Sequence, residues 1–104
     1  PQIPVDLPTF DEVVGPQLDA RAFNAYLLRQ FSPSKLNVYT VHSEVEGIVM
    51  AAHFRDLLTQ AKRQDIQFQP LGNLLPDSLE ALPEGHLVRG ALDGREGWLG
   101  VQQP

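Results

Sequence analysis

The chain has 104 residues, a formal net charge of -5 and no cysteine, which fits one small domain with a modest core. The lack of cysteine excludes disulfides and thiolate metal sites, and the acidic balance argues against nucleic acid as a partner. No apolar run approaches the roughly 20 residues that a membrane-spanning helix needs.

Strand-like and helix-like blocks alternate through the first part of the chain. A short strand is predicted at residues 3 to 7, where apolar side chains alternate with polar or proline positions. A helix is predicted next, capped by Asp19 and stopped by Ser32-Pro33. Its apolar side chains recur at helical spacing at Ala20, Phe23, Leu27 and Phe31.

The middle of the chain predicts a further strand, helix and strand. Residues 36 to 41, LNVYTV, are nearly apolar on both faces, as in a parallel strand covered on both sides. A second amphipathic helix follows, and residues 66 to 68 form a short strand. That helix has its apolar face at Met50, Phe54, Leu57, Leu58 and Ala61. The order β-α-β-α-β predicts an α/β fold.

The last third is richer in proline and glycine. Residues 71 to 75 predict a short helical turn, and residues 86 to 101 predict a glycine-rich hairpin closed near Asp93-Gly94. There is no repeat or evident linker, so residues 1 to 104 are interpreted as one domain or one part of a domain.

His42 is the first candidate for chemistry. It follows the predicted 36 to 41 strand at its carboxyl end, where α/β proteins gather their reactive groups. An imidazole gives or takes a proton near neutral pH. Glu44 and Glu46 are close enough in sequence to orient it, or to cap the following helix. A structural histidine fits the same spacing, so the residues alone leave catalysis and structure open.

The remaining polar candidates also have two interpretations each. Asp11, beside Glu12, either lines the mouth of a site or forms a solvated turn before the first helix. Arg89 and Arg95 could hold a substrate's phosphate, with Trp98 at a membrane interface. The alternative, which we favour, is a glycine-rich hairpin that packs Trp98 onto the rest of the protein.

Histidine spacing predicts no metal site made by this chain alone. His42, His53 and His86 lie far apart and form neither an H-x-x-x-H nor an H-E-x-x-H pair. His53 is expected at the surface of the second helix. The chain begins at Pro1 rather than methionine, which suggests a piece of a longer protein.

Five motifs, in the same order and covering essentially the whole chain, resemble the C-terminal part of sugar deformylases in the polysaccharide deacetylase (NodB-like) family. VYTVHSEVEG at residues 38 to 47 and GREGWLG at residues 94 to 100 are specific together, although neither would be alone. The others are IPVDLPTFDEVVG at 3 to 15, FNAYLL at 23 to 28, PLGNLL at 70 to 75 and the remainder of VRGALDGREGWLGVQQ at 88 to 103.

The resemblance implies metal-assisted hydrolysis of a formamide. In that family, an aspartate base and an Asp/His/His divalent-metal site lie upstream, in a segment that this chain does not contain. The late histidine, which corresponds to His42, acts as the general acid. The fold implied is the C-terminal part of an irregular (β/α) barrel, followed by the hairpin. A divalent metal is thus expected in the full-length enzyme and none in this chain alone.

The resemblance also implies a biological setting. The substrate would be a sugar linked to polyprenyl phosphate, at the cytoplasmic face of the bacterial inner membrane. The role would be lipid A modification and resistance to polymyxin and other cationic antimicrobial peptides. The alternatives are a non-catalytic α/β interaction module and a deacetylase of another N-acylated sugar. Because the family's metal ligands and base would be missing, the chain alone is expected to be inactive. Because barrel strands would be missing as well, it is expected to self-associate.

Overall fold

A computed structural model describes residues 1 to 104 and shows helices with one two-stranded antiparallel sheet. The helices are α1 (Phe10–Val13), α2 (Phe23–Gln30) and α3 (Ala51–Arg63), and the strands are β1 (His86–Gly90) and β2 (Leu99–Gln103). Short 3-10 turns occupy Ala20–Ala22, Leu71–Leu74 and Leu79–Ala81, and a π-helical turn occupies Val45–Val49. This mixed α/β composition is compatible with part of an α/β domain.

Both predicted helices are confirmed. Asp19 caps the first one, since its Oδ1 accepts the backbone N–H groups of Arg21 at 2.9 Å and Ala22 at 3.2 Å. The 3-10 turn that follows runs directly into α2. The second predicted helix is α3, and the helical turn predicted at residues 71 to 75 is the 3-10 turn Leu71–Leu74.

A small core lies where α2 packs against α3. Side-chain Nδ2 of buried Asn24 links the two helices by donating to the His53 backbone carbonyl at 2.9 Å. Removing this polar group from water is tolerated because it is hydrogen-bonded. The buried hydrophobic residues are Leu7, Val13, Phe23, Leu27, Leu28, Leu57 and Ala61.

The prediction of parallel strands at residues 3 to 7, 36 to 41 and 66 to 68 is wrong for this structure, since none of them joins a sheet. One backbone hydrogen bond, from Leu7 N–H to Val38 O at 3.2 Å, links the first two segments. The Asp6 carboxylate accepts the N–H groups of Asn37 at 3.1 Å and Val38 at 2.6 Å, so a strand partner cannot accept them. Asn37 also has a φ of 58°, which interrupts extended backbone.

The predicted glycine-rich hairpin is confirmed. β1 and β2 pair antiparallel with Val88 opposite Val101 and Arg89 opposite Gly100, and the connection turns at Asp93 and Gly94, where Gly94 has a φ of 86°. A Cβ on Gly100 would lie 2.8 Å from the Leu87 side chain. Glycine at position 100 therefore lets Leu87 lie across the neighbouring strand.

The chain is less compact than an independent domain of its size. Its accessible surface is 7935 Å², against roughly 5,800 Å² expected for a folded monomer of its mass. Its radius of gyration is 15.3 Å, against about 13 Å for a compact domain of this length. The exposed surface includes large apolar side chains, among them Ile48, Val49 and Trp98. No helix has the length and apolar character to cross a membrane.

Candidate functional site

His42 lies at the end of an irregular segment and at the start of a tight turn. Its backbone carbonyl accepts the N–H groups of Val45 at 3.0 Å and Glu46 at 2.9 Å. Its own backbone N–H donates to a carboxylate oxygen of Glu46 at 2.8 Å. The side chain is partly exposed. The turn therefore fixes the backbone of His42 from both sides while its imidazole stays accessible.

Glu46 is the buried polar residue of this turn, with only 5% of its surface exposed. One carboxylate oxygen accepts the His42 backbone N–H, and the other accepts the hydroxyl of Tyr39 at 2.5 Å. The sequence predicted that Glu46 orients His42 or caps a helix. In the structure, the Glu46 carboxylate accepts a hydrogen bond from the main chain of His42, within the turn that opens the π-helical segment.

Tyr39 is a site residue that the sequence pattern did not predict. Burial raises the pKa of its hydroxyl strongly, and the hydrogen bond and negative charge of Glu46 raise it further. Its ring lies 6.4 Å from that of Phe23, between ring centroids. Tyr39 therefore stays neutral at physiological pH and donates its proton to Glu46. In the sequence, Tyr39 lies seven residues before Glu46, and this spacing matches no motif that would have indicated their contact.

Glu44 lies two residues after His42, Asp11 lies on α1, and both side chains are exposed. The backbone N–H of Glu44 holds the pKa of its carboxyl below the usual range, with a smaller contribution from the Ser43 hydroxyl. Asp11, on α1, is close enough that its charge raises the pKa of both Tyr39 and Glu44. The structure thus places Glu44 and Glu46 in the turn that carries His42, whereas Asp11 acts on this turn only through its charge.

The hairpin residues divide into two groups. Arg95 forms an ion pair with Glu12 on α1, with its Nη1 3.1 Å from the carboxylate oxygen. The Arg89 guanidinium lies over the Trp98 ring, 4.5 Å from its centroid. Trp98 is 63% exposed, so it does not pack onto the other residues of this chain, and its packing onto the rest of a longer protein stays a prediction. The Arg89 guanidinium covers one face of the ring.

The three histidines do not meet. His53 is on the exposed side of α3, as predicted, and His86 begins β1. No group of three or more histidine, aspartate and glutamate side chains has the arrangement of a metal site. The residues of this chain therefore do not fit the divalent metal that the resemblance implies for the full-length enzyme.

An open apolar groove of about 910 Å³ lies beside the segment that leads to His42. It is lined by residues 35 to 41 and 64 to 69 and by the α3 side chains Phe54, Leu57 and Leu58. The groove reaches Val41, one residue before His42, but His42 does not line it. Several of its side chains are exposed, including Phe68 and Leu71. This surface is hereafter called the apolar groove.

Over nearly its full length, the chain is homologous to a class of sugar-lipid deformylases. It is 47% identical over 103 residues to the probable 4-deoxy-4-formamido-L-arabinose-phosphoundecaprenol deformylase ArnD of Shewanella sediminis (strain HAW-EB3), covering 98% of this chain and 34% of that protein. It is 34% identical over 103 residues to the protein of the same name from Wigglesworthia glossinidia brevipalpis, covering 98% of this chain and 36% of that protein.

These relatives confirm the resemblance seen in the motifs. The chain spans about a third of the length of the curated relatives that it matches. No protein-family model matches the chain.

Proposed function

We propose that this chain is part of a metal-dependent deformylase that hydrolyses the formamide of 4-deoxy-4-formamido-L-arabinose-phosphoundecaprenol. The observation that carries the proposal is 47% identity to a protein of that name along nearly the entire chain. The corresponding fold is the C-terminal part of a NodB-like barrel, and the catalytic base and metal ligands belong to residues outside this chain. Alone, the chain is then inactive.

His42 is the general acid in this proposal. Hydrolysis adds one water across the amide C–N bond, so formate leaves on the carbon side and a free amine on the nitrogen side. The nitrogen must gain a proton as the bond breaks, because an amide anion is a very poor leaving group. A partly exposed imidazole on a turn held by Glu46 can deliver that proton.

The cellular setting follows from the proposed substrate. Removing the formyl group leaves a primary amine that is positively charged at neutral pH. Transfer of such a sugar to lipid A would reduce its negative charge and weaken binding of polymyxin and similar cationic peptides. A polyprenyl-phosphate substrate also implies work at the membrane surface, and we propose the cytoplasmic face of the inner membrane. Arg89 and Trp98 remain candidates for contact with the phosphate and lipid neck, because both are exposed.

The test uses the whole product of the gene and measures formate released from the formamido sugar lipid. Replacing His42 with Ala should lower kcat by about a hundred- to ten-thousand-fold, or roughly 3 to 5 kcal/mol in the barrier, with folding and metal content unchanged. His53→Ala is the matched control, because His53 is exposed on α3. Equal turnover of the two variants would remove His42 from the chemistry, and loss of a different acyl group would indicate another N-acylated sugar.

A second candidate function is a non-catalytic α/β interaction module. The apolar groove favours it, since exposed contiguous apolar surface marks association sites in soluble proteins. A native protein of only this length, without deformylase activity and bound stably to another chain, would support it.

A further inference from the structure

Glu46 has no positively charged partner despite being almost fully buried. Its two carboxylate oxygens accept from the Tyr39 hydroxyl and from the His42 backbone N–H. No ion pair involves Glu46, since the one salt bridge joins Arg95 to Glu12. A buried carboxylate is costly unless its hydrogen bonds are well made. The contacts of this buried carboxylate indicate that its role is to hold His42.

We propose that Tyr39 and Glu46 are positioning residues that hold the backbone of His42 in its productive place. This inference rests on the proposed function, in which His42 is the general acid. Tyr39 fixes one oxygen of Glu46, so the other oxygen is directed at the His42 N–H. Neither side chain contacts the imidazole through a hydrogen bond, so both act through the main chain of His42.

The surroundings of the turn explain why the Tyr39–Glu46 pair is needed to hold His42. Val41, Ser43 and Glu44 are all exposed, so side-chain packing does little to hold this stretch. The turn continues into the π-helical segment, where Met50 N–H donates to Val45 O at 2.7 Å. Tyr39 packs against the hydrophobic core, near Phe23. The Tyr39–Glu46 pair therefore connects an otherwise exposed turn to the rigid part of the molecule.

Glutamine at position 46 is an informative substitution. Its side-chain oxygen can accept the His42 N–H, and its amide can donate to the Tyr39 oxygen if the hydroxyl rotates. Both hydrogen bonds are kept, with one reversed in direction. Alanine removes both, and Tyr39→Phe removes one while leaving the carboxylate. The three variants separate hydrogen bonding from side-chain volume and from charge.

The experiment measures kcat and KM of the whole gene product for formate release. Glu46→Ala should lower kcat by about 10- to 100-fold, because a small displacement of a catalytic group costs that much, while KM stays within about twofold. Glu46→Gln should restore kcat to within about threefold of the wild type, and Tyr39→Phe should lower it by about three- to tenfold. Hydrogen exchange of the His42 amide, measured by NMR, should be fast in Glu46→Ala and slow again in Glu46→Gln.

Different outcomes separate this inference from the proposed function. If His42→Ala is inactive but Glu46→Ala and Tyr39→Phe have normal kcat, the positioning inference is wrong and the proposed function stands. If His42→Ala keeps normal turnover, His42 is not the acid and both fall. A Glu46→Gln variant as slow as Glu46→Ala would mean that charge matters, and would overturn positioning by hydrogen bonds. Should Glu46→Ala fail to fold, Tyr39→Phe with its smaller kcat loss decides alone.

Discussion

The 104-residue chain in isolation should self-associate through the apolar groove. Its accessible surface of 7935 Å² exceeds that of a compact monomer by about 2,100 Å². A specific protein interface buries a total of about 1,200 to 2,000 Å², so the excess is large enough to form one. The groove contributes part of this excess, since its exposed side chains include Val41, Phe68 and Leu71. In a solution of the isolated chain, a second copy of the same chain can bury the apolar groove.

Phe68→Glu is the perturbation that tests this reasoning. Phe68 is 55% exposed, which for a side chain of roughly 200 Å² leaves about 110 Å² to be buried on association. At about 25 cal/mol per Å², that burial contributes about 2.7 kcal/mol, or about a hundredfold in the dissociation constant. A carboxylate in the same place adds a desolvation cost. The dissociation constant should therefore rise at least a hundredfold.

Sedimentation velocity over a concentration series, with ANS fluorescence, provides the measurement. Leu79→Glu is the matched control, because Leu79 is 50% exposed but does not line the groove. The wild-type chain and Leu79→Glu should form dimers or larger species, and Phe68→Glu should shift towards monomer. The reasoning fails if the wild-type chain sediments as a compact monomer, unfolds cooperatively and binds no dye. Equal weakening by both variants would place the interface elsewhere.

Two further predictions concern pH and metal. Tyr39→Phe should destabilise the protein by about 1.5 to 3 kcal/mol near pH 7, because it removes a hydrogen bond to a buried carboxylate. The folded-state pKa of Tyr39 is raised, so its stabilisation is fully present below the unfolded pKa of about 10 and is lost at higher pH. In urea unfolding, the difference in the free energy of unfolding between wild type and Tyr39→Phe should therefore become smaller above about pH 10. The control is Tyr26→Phe, which removes a hydroxyl without a Glu46 contact and should have nearly the wild-type free energy of unfolding at pH 7. Calorimetric titration of the chain alone with zinc, cobalt or manganese should show no stoichiometric tight site, since no ligand cluster is present, and a single high-affinity isotherm would contradict this.

Helices and the hairpin were predictable because their signals are local. Asp19 caps the helix that begins directly after it in the sequence, and the apolar face of α3 follows from 3.6-residue periodicity. The hairpin closes near Asp93-Gly94, where glycine tolerates the positive φ that the turn needs. Each of these features depends on residues within a few positions of one another, so one sequence carries enough information.

The parallel strands were not predictable in the same way, because a strand requires a partner. Residues 36 to 41 have the composition of a buried strand, but composition does not say which segment will pair with it. In the structure, Asp6 takes two of its N–H groups and Asn37 breaks its extended conformation. The same residues line the apolar groove. A segment with strand composition but no partner is a reason to expect further chain or a second molecule at this surface.

The candidate site shows the same division between local and non-local information. His42 could be selected from the sequence because of its place after an apolar segment. Its relation to Tyr39 could not, because strand alternation puts residues 39 and 42 on opposite faces. The turn that opens the π-helical segment brings Glu46 within hydrogen-bonding distance of both. The geometry of this turn, rather than strand periodicity, therefore determines which side chains hold the proposed acid. Single π-helical turns occur often at functional sites.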